Sequence, residues 1–304
     1  MQILAVGSIA YDTIKTPFVR GRRVLGGSLT YFSLAASRFA KVRPIGVVGR
    51  DFKRQHFKLF QRNNIDATGL QIAPGKTFTW SGQYGYNLNE RKNLSVHLNV
   101  LADFKPVLPA VKDACLFLGN LPPQLQLDVL RQARQPRLVV TDTMDYWISR
   151  EEKRLLEVLK STNILIINDS EARQLAREHN LLKAAREILA LMPRKQKIPA
   201  TLIVKQGEYG LLMFTKNGWF SLPAFMLEDV FDPTGAGDTF AGGFVGYLAS
   251  QNKLNEKTFR QAAVYGTIMA SFCVEKLGPA KLIGLDAQQI RARHKQFTKF
   301  LSAA

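Results

Sequence analysis

Asp232-Pro233-Thr234-Gly235-Ala236-Gly237-Asp238-Thr239-Phe240-Ala241-Gly242-Gly243-Phe244 runs from a turn into a strongly helical pattern. Gly235, Ala236 and Gly237 present backbone with little side-chain cover, so amide N–H groups and the positive end of the helix can approach a phosphate closely. Asp238 falls in the first helical turn. A carboxylate there can take the proton of an attacking hydroxyl while neighbouring amides hold charge developing on a transferred phosphoryl group. An aspartate so placed also complements the helix dipole, which would suffice for a lone Gly-x-Gly-Asp; the longer stretch is far less common by chance. Further on, Phe240, Phe244 and Tyr247 share one face, and Gly242, Gly243 and Gly246 permit close backbone packing. The helix is therefore expected at a buried position.

Working outward, short apolar runs rich in β-branched residues recur at 3–7, 45–49, 116–119, 138–142, 164–168, 202–205 and 211–214. They read as buried strands. Between several of them lie helical patterns at 28–40, 51–64, 124–135, 149–160, 169–179 and 181–192. This alternation predicts an α/β fold: one domain over 1–304, built on a doubly wound, mainly parallel sheet flanked by helices. Ligands of such folds bind beyond the carboxyl ends of the strands, where strand order reverses.

One stretch breaks the alternation. Phe78, Trp80, Tyr84 and Tyr86 keep a period of two, and Leu94, Val96, Leu98 and Val100 do so after the polar turn 87–91. This predicts a hairpin. With 13–25 as partner it makes a small antiparallel sheet, a lid of about 13–25 and 76–102. Its aromatic face suits closure over a ligand and cover for the core equally well.

A hydrophobic content of 46% with 22% charged residues fits a compact folded chain. The formal net charge of +18 raises nucleic-acid binding as a reading. The basic residues, however, are spread over 41–62, 183–197 and 291–299 among apolar positions, with no run of five like charges, so no nucleic-acid partner is expected. The start, Met1-Gln2-Ile3-Leu4-Ala5-Val6-Gly7, lacks the features of a secretory leader, and no apolar run approaches 18 residues; a cytoplasmic location without membrane contact is expected. Cys115 and Cys273 lie far apart in apolar segments and read as core thiols. None of His56, His97, His179 and His294 pairs at metal-ligand spacing, and no GxxxxGK[ST], strand-borne GxGxxG or HExxH is present.

The 232–244 stretch resembles the C-terminal motif of the ribokinase-like (PfkB) carbohydrate kinases, D-T-x-G-A-G-D followed by an apolar, glycine-containing helix, with Pro233 in place of the usual Thr. The resemblance implies a kinase using ATP and Mg²⁺, with Asp238 as base and Gly235, Ala236 and Gly237 as anion hole. It also implies that Asp232 and Thr234 help hold a monovalent cation such as K⁺. Gly7-Ser8-Ile9-Ala10-Tyr11-Asp12 resembles the family's first strand and its aspartate, so Asp12 is expected to bind substrate hydroxyls; a carboxylate just past a strand end can accept two vicinal donors. Gly26, Gly27 and Ser28 resemble the paired glycines beside the sugar, followed by Tyr31-Phe32 where the family often has Asn.

Asn168-Asp169-Ser170-Glu171 resembles the N-x-x-E motif, which implies that Asn168 and Glu171 organise phosphate and, through water, Mg²⁺. A hard cation that retains its waters suits such oxygen ligands, although Asp169 or Ser170 could also serve only as an N-cap. Lys205-Gln206-Gly207 resembles the strand-end turn at the nucleotide, with Lys205 meeting a phosphate and Gly207 letting the chain pass closely. The segment 265–279 lies where the family covers the adenine and closes the cation site. Asp142-Thr143-Met144-Asp145-Tyr146-Trp147 resembles the family's D-x-N-x-R-x-x-W only loosely and receives no role.

The expected activity is transfer of the ATP γ-phosphate to a hydroxyl of a small sugar or sugar-like molecule. The alternatives are a nucleoside kinase, since both chemistries occur on this scaffold, and a catalytically silent sugar-binding regulator, against which the intact 235–238 stretch argues. The resemblance also admits a homodimer formed through the lid.

Overall fold

A computed structural model describes residues 1–193 and 198–302. The end of the basic stretch 183–197 therefore lies partly outside the described residues. Strands are β1 (Ile3–Val6), β2 (Ala10–Lys15), β3 (Arg20–Gly26), β4 (Val42–Gly49), β5 (Leu70–Ala73), β6 (Phe78–Tyr84), β7 (Arg91–His97), β8 (Cys115–Leu118), β9 (Leu138–Asp142), β10 (Ile164–Asn168), β11 (Thr201–Lys205), β12 (Leu211–Thr215) and β13 (Gly218–Leu222). Helices are α1 (Ser28–Ala36), α2 (Arg54–Arg62), α3 (Pro123–Gln132), α4 (Asp145–Arg150), α5 (Glu152–Leu159), α6 (Asp169–Ala176), α7 (Leu181–Leu191), α8 (Ala236–Ser250), α9 (Glu256–Cys273), α10 (Ala280–Ile283) and α11 (Ala287–Leu301).

Among the described residues the main sheet has the order β13-β12-β11-β10-β9-β8-β1-β4-β5. It is parallel from β11 to β5, and β12 and β13 extend it antiparallel. The chain winds from β1 outward to β5, then returns to β8 on the other side of β1. Strand order thus reverses at β1, where β1 lies between β4 and β8. Each predicted buried strand is found. β5 and β13 were not anticipated, because Leu70–Ala73 is short and Gly218–Leu222 is largely exposed and carries no clean alternation.

Side-chain alternation divides the core between the two faces of the sheet. Ile3, Ala5, Ile164 and Ile166 point into one apolar cluster with helices α1, α8 and α9, whereas Leu4 and Val6, and Leu165 and Ile167, point to clusters on the opposite face. Burying each such Ile, Leu or Val side chain stabilises the fold by about 1.5–3 kcal/mol. The glycines of α8 let three helices close on one another: a Cβ on Gly242 would lie 2.3 Å from the Phe32 carbonyl oxygen of α1, and one on Gly243 2.7 Å from Met269 of α9. The pattern expected as one helix at 149–160 is two, α4 and α5, which meet at the non-helical Glu151. Both cysteines are buried and free. Among the described residues no helix is long and apolar enough to cross a membrane.

The second sheet has the order β3-β2-β6-β7. The expected hairpin is present as β6 and β7, but the single partner expected over 13–25 is two strands, β2 and β3, and the sheet is not wholly antiparallel. β2 pairs with β3 and β6 with β7 antiparallel, while β2 and β6 run parallel. The reason is topological: β2 leaves β1 and β6 leaves β5 in the same sense, so both enter the small sheet from the main one. Asp12 of β2 lies beside Trp80 of β6, and Tyr84 faces Arg91 of β7.

Candidate active site

Carboxyl ends of the strands bring the site together. Asn168 ends β10 level with Lys205, which ends β11, and Asp142 ends β9 level with Ile166. Above this rim starts α8. Gly235 is its N-cap and is left-handed, φ 77°. It cannot be another residue, because a Cβ there would lie 2.3 Å from the ring of Tyr31. The Asp232 carboxylate fixes the turn from both ends, accepting the Thr234 N–H at 2.9 Å and the Gly278 N–H at 2.8 Å. Asp232 is buried, and among the described residues no basic side chain pairs with it. Burial raises its pKa above the ordinary aspartate value.

Asp238 keeps part of its surface open to the cleft. Burial, and next the negative charge of Asp142, pushes its pKa up to about 7, against the opposing pull of Lys205 and Arg91. The Lys205 ammonium stands 3.0 Å from where a Cβ on Gly237 would be, so it lies directly against the backbone at the start of α8. Burial works against its charge, yet Asp142, Glu171 and Asp238 together hold it protonated above its ordinary range. Asn168 and Glu171 form a reciprocal cap on α6: the Glu171 N–H donates to Asn168 Oδ1 at 2.7 Å and the Asn168 N–H to Glu171 Oε2 at 2.8 Å. Burial lifts Glu171 to about 7 as well, with Lys205 opposing.

Across the cleft, Asp12 is buried, and its carboxylate lies so close over Gly26 that any side chain there would collide with it. Burial raises it to about 7, countered by the Gly27 N–H and reinforced by the charges of Asp232 and Asp238. Ser28 is engaged elsewhere. Its hydroxyl accepts the Ser8 N–H at 3.1 Å and contacts Ser8 Oγ at 3.3 Å, so it ties α1 to the end of β1. Gly207 also stands apart from the carboxylate cluster: it heads a short turn and packs against Asn89 of the lid hairpin, whose Nδ2 donates to Glu208 at 3.0 Å.

Three further residues join the site. Asp142, at a strand end but in a segment that matched its motif poorly, acts electrostatically on Asp238, Glu171 and Lys205. Tyr84 reaches down from β6 and accepts a hydrogen bond from Thr234 Oγ1 at 3.2 Å. Arg91, opposite Tyr84, places the lid's positive charge within reach of both Asp12 and Asp238. Pairing register, not composition, was the signal: Tyr84 and Arg91 share the sheet face that carries Asp12.

Residues 20–283 match the model of the pfkB family carbohydrate kinases. A cytidine kinase of Thermococcus kodakarensis is 29% identical over 268 residues, covering 84% of this chain and 91% of that protein. A nucleoside kinase of Methanocaldococcus jannaschii is 30% identical over 291 residues, 91% of each. The crystal structure of the M. jannaschii nucleoside kinase, an archaeal member of the ribokinase family, superposes with a TM-score of 0.78 over 97% of this chain and 98% of its own, at 19% identity in that alignment. Nucleoside kinase of Burkholderia thailandensis in complex with inosine gives 0.76 over 98% and 99%, at 18% identity. With a ribokinase-like fold and a family match over most of its length, the chain belongs to the pfkB family of carbohydrate kinases and is an ATP-dependent phosphotransferase with an alcohol group as acceptor.

Proposed function

We propose that Asp238 is the general base, that the Gly235, Ala236 and Gly237 amides form the anion hole, and that Asp12 holds the acceptor hydroxyls. The observation that carries this reading is the meeting of a carboxylate, a helix N-terminus and the Lys205 ammonium at one point. A carboxyl group whose pKa lies near 7 takes a proton at neutral pH more effectively than an ordinary aspartate, and Lys205 with the amides offsets charge on the phosphoryl group. Arg91 adds a second cation from the lid. Asn168, Glu171, Lys205 and Gly207 are proposed on the nucleotide side.

Mg²⁺ fits this site through phosphate and water. Among the described residues no group of three or more His, Cys, Asp or Glu side chains could hold a metal directly, while Glu171 sets a carboxylate within electrostatic reach of Asp142. When bound with ATP, the ion neutralises phosphate charge. A monovalent cation at Asp232 and Thr234 fits the buried, uncompensated Asp232 carboxylate.

For the acceptor, the cytidine and nucleoside kinases among the relatives move a nucleoside ahead of a free sugar. A silent regulator would have no need of the assembled base and anion hole. A homodimer through the lid is supported by β7, an outer strand with Leu94 and Val96 half exposed. A cytoplasmic location belongs to the same proposal.

The test is ATP consumption over a panel of nucleosides, sugars and polyols with the wild type and Asp238→Asn. The substitution is expected to leave acceptor binding nearly intact and to lower turnover by about 10²- to 10⁴-fold, the usual worth of a positioned base. Near-normal turnover by Asp238→Asn would refute the assignment.

A further inference from the structure

Trp80 occupies the face of the small sheet that is turned to the active site. Tyr84, on the same face of β6, reaches Thr234 there, and Asp12 is the direct neighbour of Trp80 across the β2–β6 pair. The indole is laid along the sheet and fixed. Gly82, two residues further on, leaves it room: a Cβ at that position would lie 2.1 Å from indole atoms Cη2 and Cζ2. Asn93, paired with Gly82 on β7, accepts the indole Nε1–H at 3.0 Å. Trp80 nonetheless keeps part of its surface exposed, and among the described residues no other ring packs on it.

Arg91 is the cation nearest the indole, with its guanidinium carbon 5.5 Å from the ring centroid. Groups in stacking contact approach to about 3.5–4.0 Å. Arg293 shows that closer geometry elsewhere in the molecule, 3.6 Å from the Phe272 centroid. Arg91 thus lies over the indole face without close contact, and a planar group stacking there would take its place over the ring. A flat, immobilised aromatic surface beside the carboxylate that would hold sugar hydroxyls has the shape of a site for a planar group attached to a sugar.

We infer that Trp80 is the platform on which the nucleobase of the acceptor stacks, and thus the residue that separates nucleosides from free sugars. Gly82 and Asn93 act as positioning residues that keep the indole flat. Because the one polar atom of the indole is committed to Asn93, the platform reads a π-face and not a hydrogen-bonding pattern. Recognition of that kind tolerates different bases. The inference rests on the kinase reading above and deepens it by placing the base.

The experiment compares dissociation constants and kcat/KM for cytidine, inosine and ribose, with wild type, Trp80→Ala and Trp80→Phe. Stacking on an aromatic side chain is worth enough that the preference for either nucleoside over ribose should fall by about 5- to 150-fold in Trp80→Ala. Trp80→Phe should restore most of it, and the two nucleosides should suffer alike. Should Trp80→Ala not fold, Gly82→Ala, which lifts the indole from the sheet, should give the same selective loss. A drop equal for ribose and nucleosides, or an unchanged nucleoside affinity, would overturn the platform. A wild type that phosphorylates sugars but no nucleoside would also overturn it while leaving the kinase reading intact; wild-type turnover unaffected by Asp238→Asn strikes the kinase reading instead.

Discussion

The Tyr84 hydroxyl accepts a hydrogen bond from Thr234 Oγ1, 3.2 Å away, and so joins the lid to the turn that carries the proposed anion hole. Tyr84 is buried, its phenol is pushed up to about 12 by that burial, and Thr234 is held in turn by Asp232. Seating of the lid is thus coupled to the start of α8.

Tyr84→Phe removes the hydroxyl and keeps the ring. A hydrogen bond of this kind contributes about 0.5–1.5 kcal/mol, so acceptor kcat/KM should fall by about 2- to 12-fold with little change in the KM for ATP. An equal effect on both substrates would show that Tyr84 serves general packing and not lid closure.

The hairpin tip makes a second closure contact, Asn89 with Glu208, next to the turn at Gly207. Phosphoryl transfer must exclude water to avoid wasteful ATP hydrolysis, which a closed lid accomplishes. Hydrogen exchange across 77–100 should slow when nucleotide and acceptor bind together, and Glu208→Ala should lessen that protection and raise acceptor-independent ATP hydrolysis. Exchange in the hairpin that ligands do not alter would count against a moving lid.

How far the sequence reveals these features depends on their range. Buried strands and the α8 helix are local: a continuous apolar run, or glycines clustered at a helix start, carries its own meaning, so the buried strands along the chain and the start of α8 were legible. Ser28, expected beside the substrate with Gly26 and Gly27, also has its hydroxyl against Ser8, a partner twenty residues away that no local pattern announces. Asp142 and Arg91 enter the site only through strand pairing, and the parallel β2–β6 pair follows from the path of two strands leaving the main sheet. Local pattern carries none of that information.

Acid–base behaviour gives a third check. As the proposed base, Asp238 would have to be deprotonated to act, and with its pKa near 7 the acid limb of kcat/KM should lie about there, well above the range of an ordinary aspartate. Stability should run the other way. Asp12, Glu171 and Asp238 bind protons more tightly folded, at about 7, than at their ordinary 3.8 or 4.5, so the stability they contribute is fully present below those ordinary values and is lost as pH rises through about 7. The ligand-free protein should therefore melt at a lower temperature at pH 8 than at pH 5.5, and Asp238→Asn should shrink that difference. A pH dependence identical in the variant would remove Asp238 from this account.

Lys205 balances the same three carboxylates, Asp142, Glu171 and Asp238, and its replacement by Met separates its two roles. Near pH 8, where Glu171 and Asp238 are charged, removing the Lys205 ammonium leaves like charges facing each other in a poorly solvated cleft. Breaking a buried pair in this way costs about 3–5 kcal/mol, and the opening of Lys205 to the cleft places it at the lower end. Near pH 5 Glu171 and Asp238, whose pKa values lie at about 7, take up protons and the loss should shrink. Lys205 also holds the Asp238 pKa down, so in Lys205→Met the acid limb of kcat/KM should move to higher pH, and kcat should fall at every pH through loss of the proposed phosphate contact. Thermal melts at the two pH values with a pH–rate profile check both effects; a destabilisation independent of pH would mean that Lys205 packs rather than balances charge.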